Sequence, residues 1–447
     1  MEVHKVMKKI LLAVLAMLLL PAGFAFAADK SPLELSGDYR FRYDHLEGTV
    51  PNYQAFTGGV PAPTPGFDVK NNSLFTNRFG LNIKAEALED VRVKARLLMY
   101  KVYGHQTPSS GLGNFFADRW SSTNDGTVGH TPEDGVVRVD YAYATVSNVF
   151  DQPLWVSVGR RPSTGGIPGN LRLNQEKAGS AGIPSILVDY AFDGATVGWA
   201  PYIEALPGAY VKLCAGRGYD SGFRPNASVA GKNTDFIGLN VVPYDEDKLH
   251  IELQYQLGKN IFDMPSDAPP VANLGDIEWY GGVVTTKMGN LNLFAAAAIS
   301  QADPNGNVGF FGAPMLDGND HTGNAMYVGG RFDMGSTKIG AEFNRGSQWW
   351  IGMVPAGDDI WTSKLGARGN VYEVYVIQEL KRAKVSKNGK AYVRLGYQYY
   401  DFEYTNSNNW VGPSIKITEV NNPATGGQML APIETAKDLY LTFEVEF

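Results

Sequence analysis

The sequence predicts an all-β fold, an antiparallel transmembrane β-barrel of about 16 strands with short periplasmic turns and long extracellular loops. Three observations carry this. Apolar–polar alternation recurs along the whole chain in segments of about ten residues, the period of a strand with two unlike faces. The connections between segments alternate between short and long. The chain closes on "DLYLTFEVEF", where Leu439, Leu441, Phe443, Val445 and Phe447 alternate with Tyr440, Thr442, Glu444 and Glu446.

At the N-terminal side, "MKKILLAVLAMLLLPAGFAFA" begins at Met7 with Lys8 and Lys9. It continues through the apolar run Ile10 to Leu20 and reaches the small-x-small triplet Ala25-Phe26-Ala27. These are the parts of a secretory signal, so residues 1–27 are expected to be a signal peptide and 28–447 a single barrel domain. The apolar run is too short for a spanning helix, which needs about 20 residues. Its removal takes away three lysines and one glutamate, leaving the remainder more acidic than the formal −7 of the whole chain.

The strands follow in order. "LELSGDYRFRYD" places Leu33, Leu35, Tyr39, Phe41 and Tyr43 on one face and Glu34, Asp38, Arg40 and Arg42 on the other. "DVRVKARLLMYK" sets Val91, Val93, Ala95, Leu97 and Met99 against Arg92, Lys94 and Arg96. "KLHIELQYQLGK" opposes Leu249, Ile251, Leu253, Tyr255 and Leu257 to His250, Glu252, Gln254 and Gln256, and "AYVRLGYQYYDF" repeats the pattern. Further strands are expected from near Leu74, Val136, Leu154, Ile186, Tyr210, Asp235, Ile277, Leu291, Ala325, Lys338 and Val371.

Short connections are Glu89-Asp90, "NVFDQ", "PYDEDK", "KMGN" and "DMGS", with "PYIEALPG" and "KRAKVSKNG" somewhat longer. Long ones fall near 46–73, 104–135, 162–185, 218–232, 259–275, 301–323, 348–367 and 406–436. A soluble sandwich has no reason to segregate its loops in this way, whereas an outer-membrane barrel does. In lipid every backbone N–H and C=O must be paired, so the last strand must seal against the first. A final strand ending in Phe447 suits that closure.

High glycine (51 residues) and 12% aromatics fit many strands and turns. The single cysteine, Cys214, excludes an internal disulfide framework and reads as a small strand residue. Cys-x-x-Cys-His, Gly-x-Ser-x-Gly, His-Glu-x-x-His and Gly-Lys-Ser/Thr patterns are missing, so neither catalysis nor a cofactor is expected. His45, His105, His130 and His321 are scattered over outer loops, and "DGNDHTGN" (Asp317, Asn319, Asp320) lacks the spacing of a calcium loop. Nucleic acid is not an expected partner of so acidic a chain.

About 16 strands leave an aqueous interior, so the lumen-facing side chains carry the chemistry. The early strands place Arg40, Arg42, Arg78, Lys84, Arg92, Lys94, Arg96, Arg138 and Arg161 on that face. Glu34, Asp38, Glu86, Asp140, Glu252, Glu342, Glu373, Glu444 and Glu446 share it. Charged walls facing each other across a narrow pore would set ion selectivity. The third long loop, "PSTGGIPGNLRLNQEKAGSAGIP", is the candidate constriction, with Arg172, Glu176 and Lys177 projecting inward.

The chain as a whole resembles a Gram-negative porin. "SLFTNRFGLNIKAEALEDVRVKARLLMYKVYG" is similar to the second and third strands of a delta-proteobacterial porin-like family, domain of unknown function 3373. "LWVSVGRRPSTGG" looks like the "VGRQ" strand ends of solute-specific porins, with Arg161 where they often carry Gln. The resemblance implies a bacterial outer-membrane location, insertion guided by the terminal aromatic, contact with outer-membrane lipid, and homo-oligomers. It also implies an inward-folded third loop. Two functions stay open: passive diffusion of small hydrophilic solutes, anions and organic acids among them, and a barrel sheath for a partner such as a multihaem cytochrome. An outer-membrane lipase is a weaker third.

Overall fold

A computed structural model describes residues 32–447 except 58–59, 105–131, 133, 164, 176–181, 221–231, 263–271, 307–308, 313–317, 355–358 and 429. Residues 1–27, expected to be a signal peptide, therefore lie outside the described residues. The strands are β1 (Leu33–Val50), β2 (Tyr53–Thr57), β3 (Val60–Thr64), β4 (Phe67–Leu88), β5 (Val91–Val102) and β6 (Arg138–Val146). Next come β7 (Leu154–Pro162), β8 (Ala191–Trp199), β9 (Tyr210–Tyr219), β10 (Thr234–Asp245), β11 (Leu249–Phe262) and β12 (Asn273–Met288). The series ends with β13 (Leu291–Pro304), β14 (His321–Met334), β15 (Thr337–Gly346), β16 (Gly369–Glu379), β17 (Lys390–Phe402) and β18 (Thr435–Glu446).

Sixteen of these close into one antiparallel barrel, each paired with its sequence neighbours, while β2 and β3 form a separate hairpin in the first long connection. Closure joins β1 to β18 from Asp38↔Glu446 to Thr49↔Thr435. Beyond that ladder, Phe447 N–H donates to Gly37 O at 2.9 Å, and Gly37 N–H donates to Phe447 O at 2.8 Å. The expected alternation governs which way side chains point. On β18, Leu439, Leu441 and Phe443 are exposed on the outer face, while Asp438, Tyr440, Thr442 and Glu444 are buried inside. No helix of the described residues is long and apolar enough to cross a membrane.

The tightest turns, Glu89-Asp90, Gly289-Asn290 and Gly335-Ser336, use positive φ at Asp90 (59°), Gly289 (59°) and Gly335 (63°). That conformation matches the right-handed twist of the flanking strands. Two expectations need correction. The segment from Ile186 does not open a strand; β8 starts at Ala191, and Ile186, Leu187 and Val188 lie fully buried inside the barrel. A short apolar run cannot by itself reveal whether a wall or an interior plug will cover it. The first long connection is also shorter than expected, because β1 runs on to Val50 and β4 begins at Phe67.

Much of the interior is packed. Ile186, Leu187 and Val188 join Trp350, Ile351 and Met353 of the β15–β16 connection, and wall residues Trp279, Phe294 and Tyr327, in one apolar cluster. The two loops pair with each other there. Met353 N–H donates to Leu187 O at 3.1 Å, and Asp189 N–H donates to Met353 O at 2.8 Å.

Candidate functional site

The third long loop, between Pro162 and Ala191, turns into the lumen. Gly166 permits its tight path, since a Cβ there would overlap the Ile183 carbonyl. The loop makes one helical turn, Gly169–Arg172; β14 and β17 hold the carbonyls at its end, and β15 and β16 hold the Asn174 side chain. Arg331 Nη1 donates to Leu171 O at 2.7 Å and Tyr392 Oη to Leu173 O at 2.9 Å. Arg394 donates to Arg172 O, and Lys390 to Asn174 O. Lys338 Nζ reaches Asn174 Oδ1 at 2.6 Å, and Asn174 Nδ2 reaches Glu379 Oε1 at 2.9 Å. Cations gather where the carbonyls at the end of a helical turn project, because those carbonyls carry partial negative charge.

Arg172 crosses the lumen to Asp359 (2.6 Å) and Glu373 (3.1 Å). Lys364 binds Glu342 and, at 2.5 Å, Glu373. Tyr440 Oη also donates to Glu373, and Tyr327 Oη to Glu342, each at 2.5 Å. Arg368 staples two outer loops through the carbonyls of Trp350 (3.0 Å), Thr405 (3.1 Å) and Asn409, with its guanidinium over the Phe311 ring. Burial pulls this guanidinium below its ordinary pKa. In the β5–β6 connection, the Val136 amide and then Arg138 hold the Asp134 carboxyl below the usual range.

The early-strand cations stand together on β1 and β4–β7, but carboxylates sit beside them rather than across the lumen. Arg42, 1% exposed, binds Asp44 (2.6 Å) and Asp438 (2.9 Å). Arg40, equally buried, lies over the Tyr100 ring. Arg96 binds Asp38 (2.6 Å) and Asp140 (3.3 Å), and Arg78 approaches Asp38 at 3.7 Å. Toward the short-turn end the pairs become wet: Arg92, 43% exposed, meets Glu86 at 2.7 Å, and Lys84 meets Glu86 at 3.3 Å and Glu34 at 3.4 Å. Arg138 binds Asp134 at 3.1 Å. Arg161 lies over the Tyr143 and Trp155 rings and donates to Ser157 Oγ. Lys94 is cross-strand from Lys84 and Tyr143, and among the described residues it has no carboxylate within ion-pair distance. Glu176 and Lys177 lie outside the described residues, as do His105, His130 and Asp317.

The plug leaves a cavity of about 540 Å³ against the β1/β4–β6 wall, lined by Asp38, Arg78, Arg96, Asp140, Arg172 and Asp359 among others. A second space of about 770 Å³ opens at the short-turn end beside Glu34, Lys84, Glu86, Arg92 and Lys387. The two share Asn388 and Phe447 as lining. Sequence reasoning passed over Arg331, Lys338, Lys390 and Arg394, although the same alternation points them inward. Lys364 and Arg368 sit in a loop without period, where no sequence signal marks them.

A closed 16-strand antiparallel barrel with loops folded into its lumen defines a porin-like β-barrel. Residues 68–447 match the family described as "Protein of unknown function (DUF3373)", and the chain belongs to that family. A search of curated proteins gave no match. Among solved structures, the barrel is similar to the anion-selective porin from Comamonas acidovorans at 12% identity and TM-score 0.47, covering 94% of this chain and 100% of that one. It is similar to Pseudomonas putida OprB at 11% identity and TM-score 0.47, covering 93% and 94%. Salmonella typhi OmpF in complex with daunomycin matches at 10% identity and TM-score 0.45, covering 92% and 97%.

Proposed function

We propose that this protein is an outer-membrane channel for passive diffusion of small hydrophilic solutes, organic and inorganic anions among them. Residues 1–27 would direct its export, and the short turns would face the periplasm. The carrying observation is the pair of adjoining spaces beside the inserted loop, which share Asn388 and Phe447. Their walls bear charges of both signs, arranged as neighbouring ion pairs that water and ions can solvate. Solutes would pass along the β1/β4–β6 side, because the opposite side is filled by apolar packing. Arg92, which lines the space at the short-turn end, and Lys94, cross-strand from the lining Lys84 and with no carboxylate in contact among the described residues, would give this route its anion preference. Arg78, Arg96 and Arg172, which line the space beside the loop, shape it chiefly through their pairing, while Arg40 and Arg42 stand buried on β1. Selectivity is set where the passage is tightest, here between Arg172 and the early strands.

A sheath around a multihaem cytochrome would need an open bore, and the chain's own Ile186, Leu187, Trp350 and Met353 occupy the interior. No feature of the described residues favours that reading. Single-channel recording in planar bilayers tests the channel. Wild type should give small stepwise conductance, and replacing Gly165–Asp189 with a short linker should enlarge each step. Absence of conductance from both proteins would overturn the reading.

A further inference from the structure

Behind the inserted loop, the inner wall of β7–β11 encloses a third, smaller pocket of about 50 Å³. That is room for roughly three to five waters at about 10–15 Å³ each. Thr196, Cys214, Gly238 and Gln256 form one cross-strand row in it, with Lys212 and Gln254 on the next row. Gly238 keeps the space open, since a Cβ there would lie 2.9 Å from Gln254 Nε2.

Two cations line this pocket without an ion-pairing carboxylate, and none of its described lining residues is acidic. Lys212, 2% exposed, gives a 3.0 Å hydrogen bond to Gly182 O and lies 5.4 Å from the Tyr210 ring centre. Arg161 is held by aromatic rings and the Ser157 hydroxyl. Glu252, on the same strand as the two glutamines, is engaged by Asn240 Nδ2 at 2.7 Å and by His250 at 3.3 Å. Gln256, 4% exposed, has a buried Nε2 without a partner, and Gln254 has a buried Oε1 in the same state. Tyr255 O accepts from Gln254 Nε2 at 3.0 Å, which fixes that amide with its oxygen unpartnered. Leaving a buried donor and acceptor unmet beside buried charge is costly, unless a ligand meets them.

We propose that this pocket binds a small oxyanion that carries a hydrogen, of about the size of hydrogencarbonate. Its oxygens would accept from Lys212, Gln256 and Arg161, and its hydroxyl would donate to Gln254 Oε1. The site goes beyond the channel reading, because occupancy does not require that the ion cross the barrel.

Cys214 lines the pocket and is the chain's single cysteine, so its alkylthiolation reports on the site alone. The folded, detergent-purified protein is treated at pH 8 with a sulfonate-bearing or a trimethylammonium-bearing methanethiosulfonate. The anionic reagent should react about tenfold faster, the effect expected of a partly screened unit charge a few ångströms away. Hydrogencarbonate should slow its reaction at least threefold, and nitrate, of equal charge and similar size but without a hydrogen, should slow it much less. Lys212→Gln should abolish the protection. Should that variant fail to assemble, Gly238→Ala, which fills the pocket from the wall, should do the same. A faster cationic reagent, equal protection by nitrate, or no protection by either anion overturns the proposal. If Cys214 reacts with neither reagent, calorimetric titration decides: no hydrogencarbonate heat in wild type, or unchanged heat in Gly238→Ala, overturns it.

Discussion

Lys364→Met tests whether buried charge holds the two inserted loops in place. Lys364 and Arg172 face Asp359, Glu342 and Glu373, two cations against three carboxylates. Glu373 and Glu342 are 2% and 5% exposed, so water cannot replace a lost partner. Methionine keeps the length and apolar stem of lysine but leaves one cation against three carboxylates. Removing one member of a buried pair costs about 3–5 kcal/mol. At 1.4 kcal/mol per decade, loop release should rise roughly a hundred- to several-thousandfold. Larger and noisier single-channel steps should follow, with faster proteolysis near Trp350–Val354. Glu373→Gln alone leaves two cations and two carboxylates and should be milder. Adding it to Lys364→Met restores the original excess of one carboxylate and should recover part of the loss. Wild-type conductance and proteolysis in Lys364→Met would refute the reasoning, as would a double variant worse than both singles.

Other expectations follow from single contacts. Deleting Phe447, or replacing it with Asp, should lower the amount of heat-modifiable barrel in the outer membrane: deletion removes the two hydrogen bonds to Gly37, and Asp removes the terminal aromatic. Normal amounts of folded barrel would contradict this. Lys94→Gln should shift the reversal potential under a KCl gradient toward cations, and an unchanged potential would exclude Lys94 from the route. Arg368→Lys cannot reach three carbonyls from one ammonium. It should lower stability by about 1–3 kcal/mol, read as an earlier loss of the folded band on heating. A tag at Asn319, in the β13–β14 connection, should be reached by antibody on intact cells, and one within Asp245–Asp247 should not.

What the sequence by itself determined is the strand and its two faces. Alternation is a local property: Leu439, Leu441 and Phe443 point out because residues two apart share a side, whatever the partner strand is. The segregation of short and long connections then implied a closed barrel and its two ends. Pairing was a different matter, because it depends on register. A bulge skips Asp140 between Arg96↔Tyr141 and Leu97↔Val139, and both Asp140 and Tyr141 turn inward toward Arg96 and Asn82. No periodic reading anticipates that extra residue. The same limit explains why alternation put the early-strand cations on the lumenal face without naming partners, when most of them have carboxylates beside them. Only the tertiary structure decided what fills the barrel. Ile186-Leu187-Val188 has the composition of a wall strand, yet it packs against Met353 and Trp350, from a loop more than 150 positions away in the chain. Lys364 and Arg368 belong to no repeating pattern, and their acceptors on β15, β16 and the last long loop come together only when the barrel closes. Local chemistry chooses a side for each residue, and long-range contacts choose its partner.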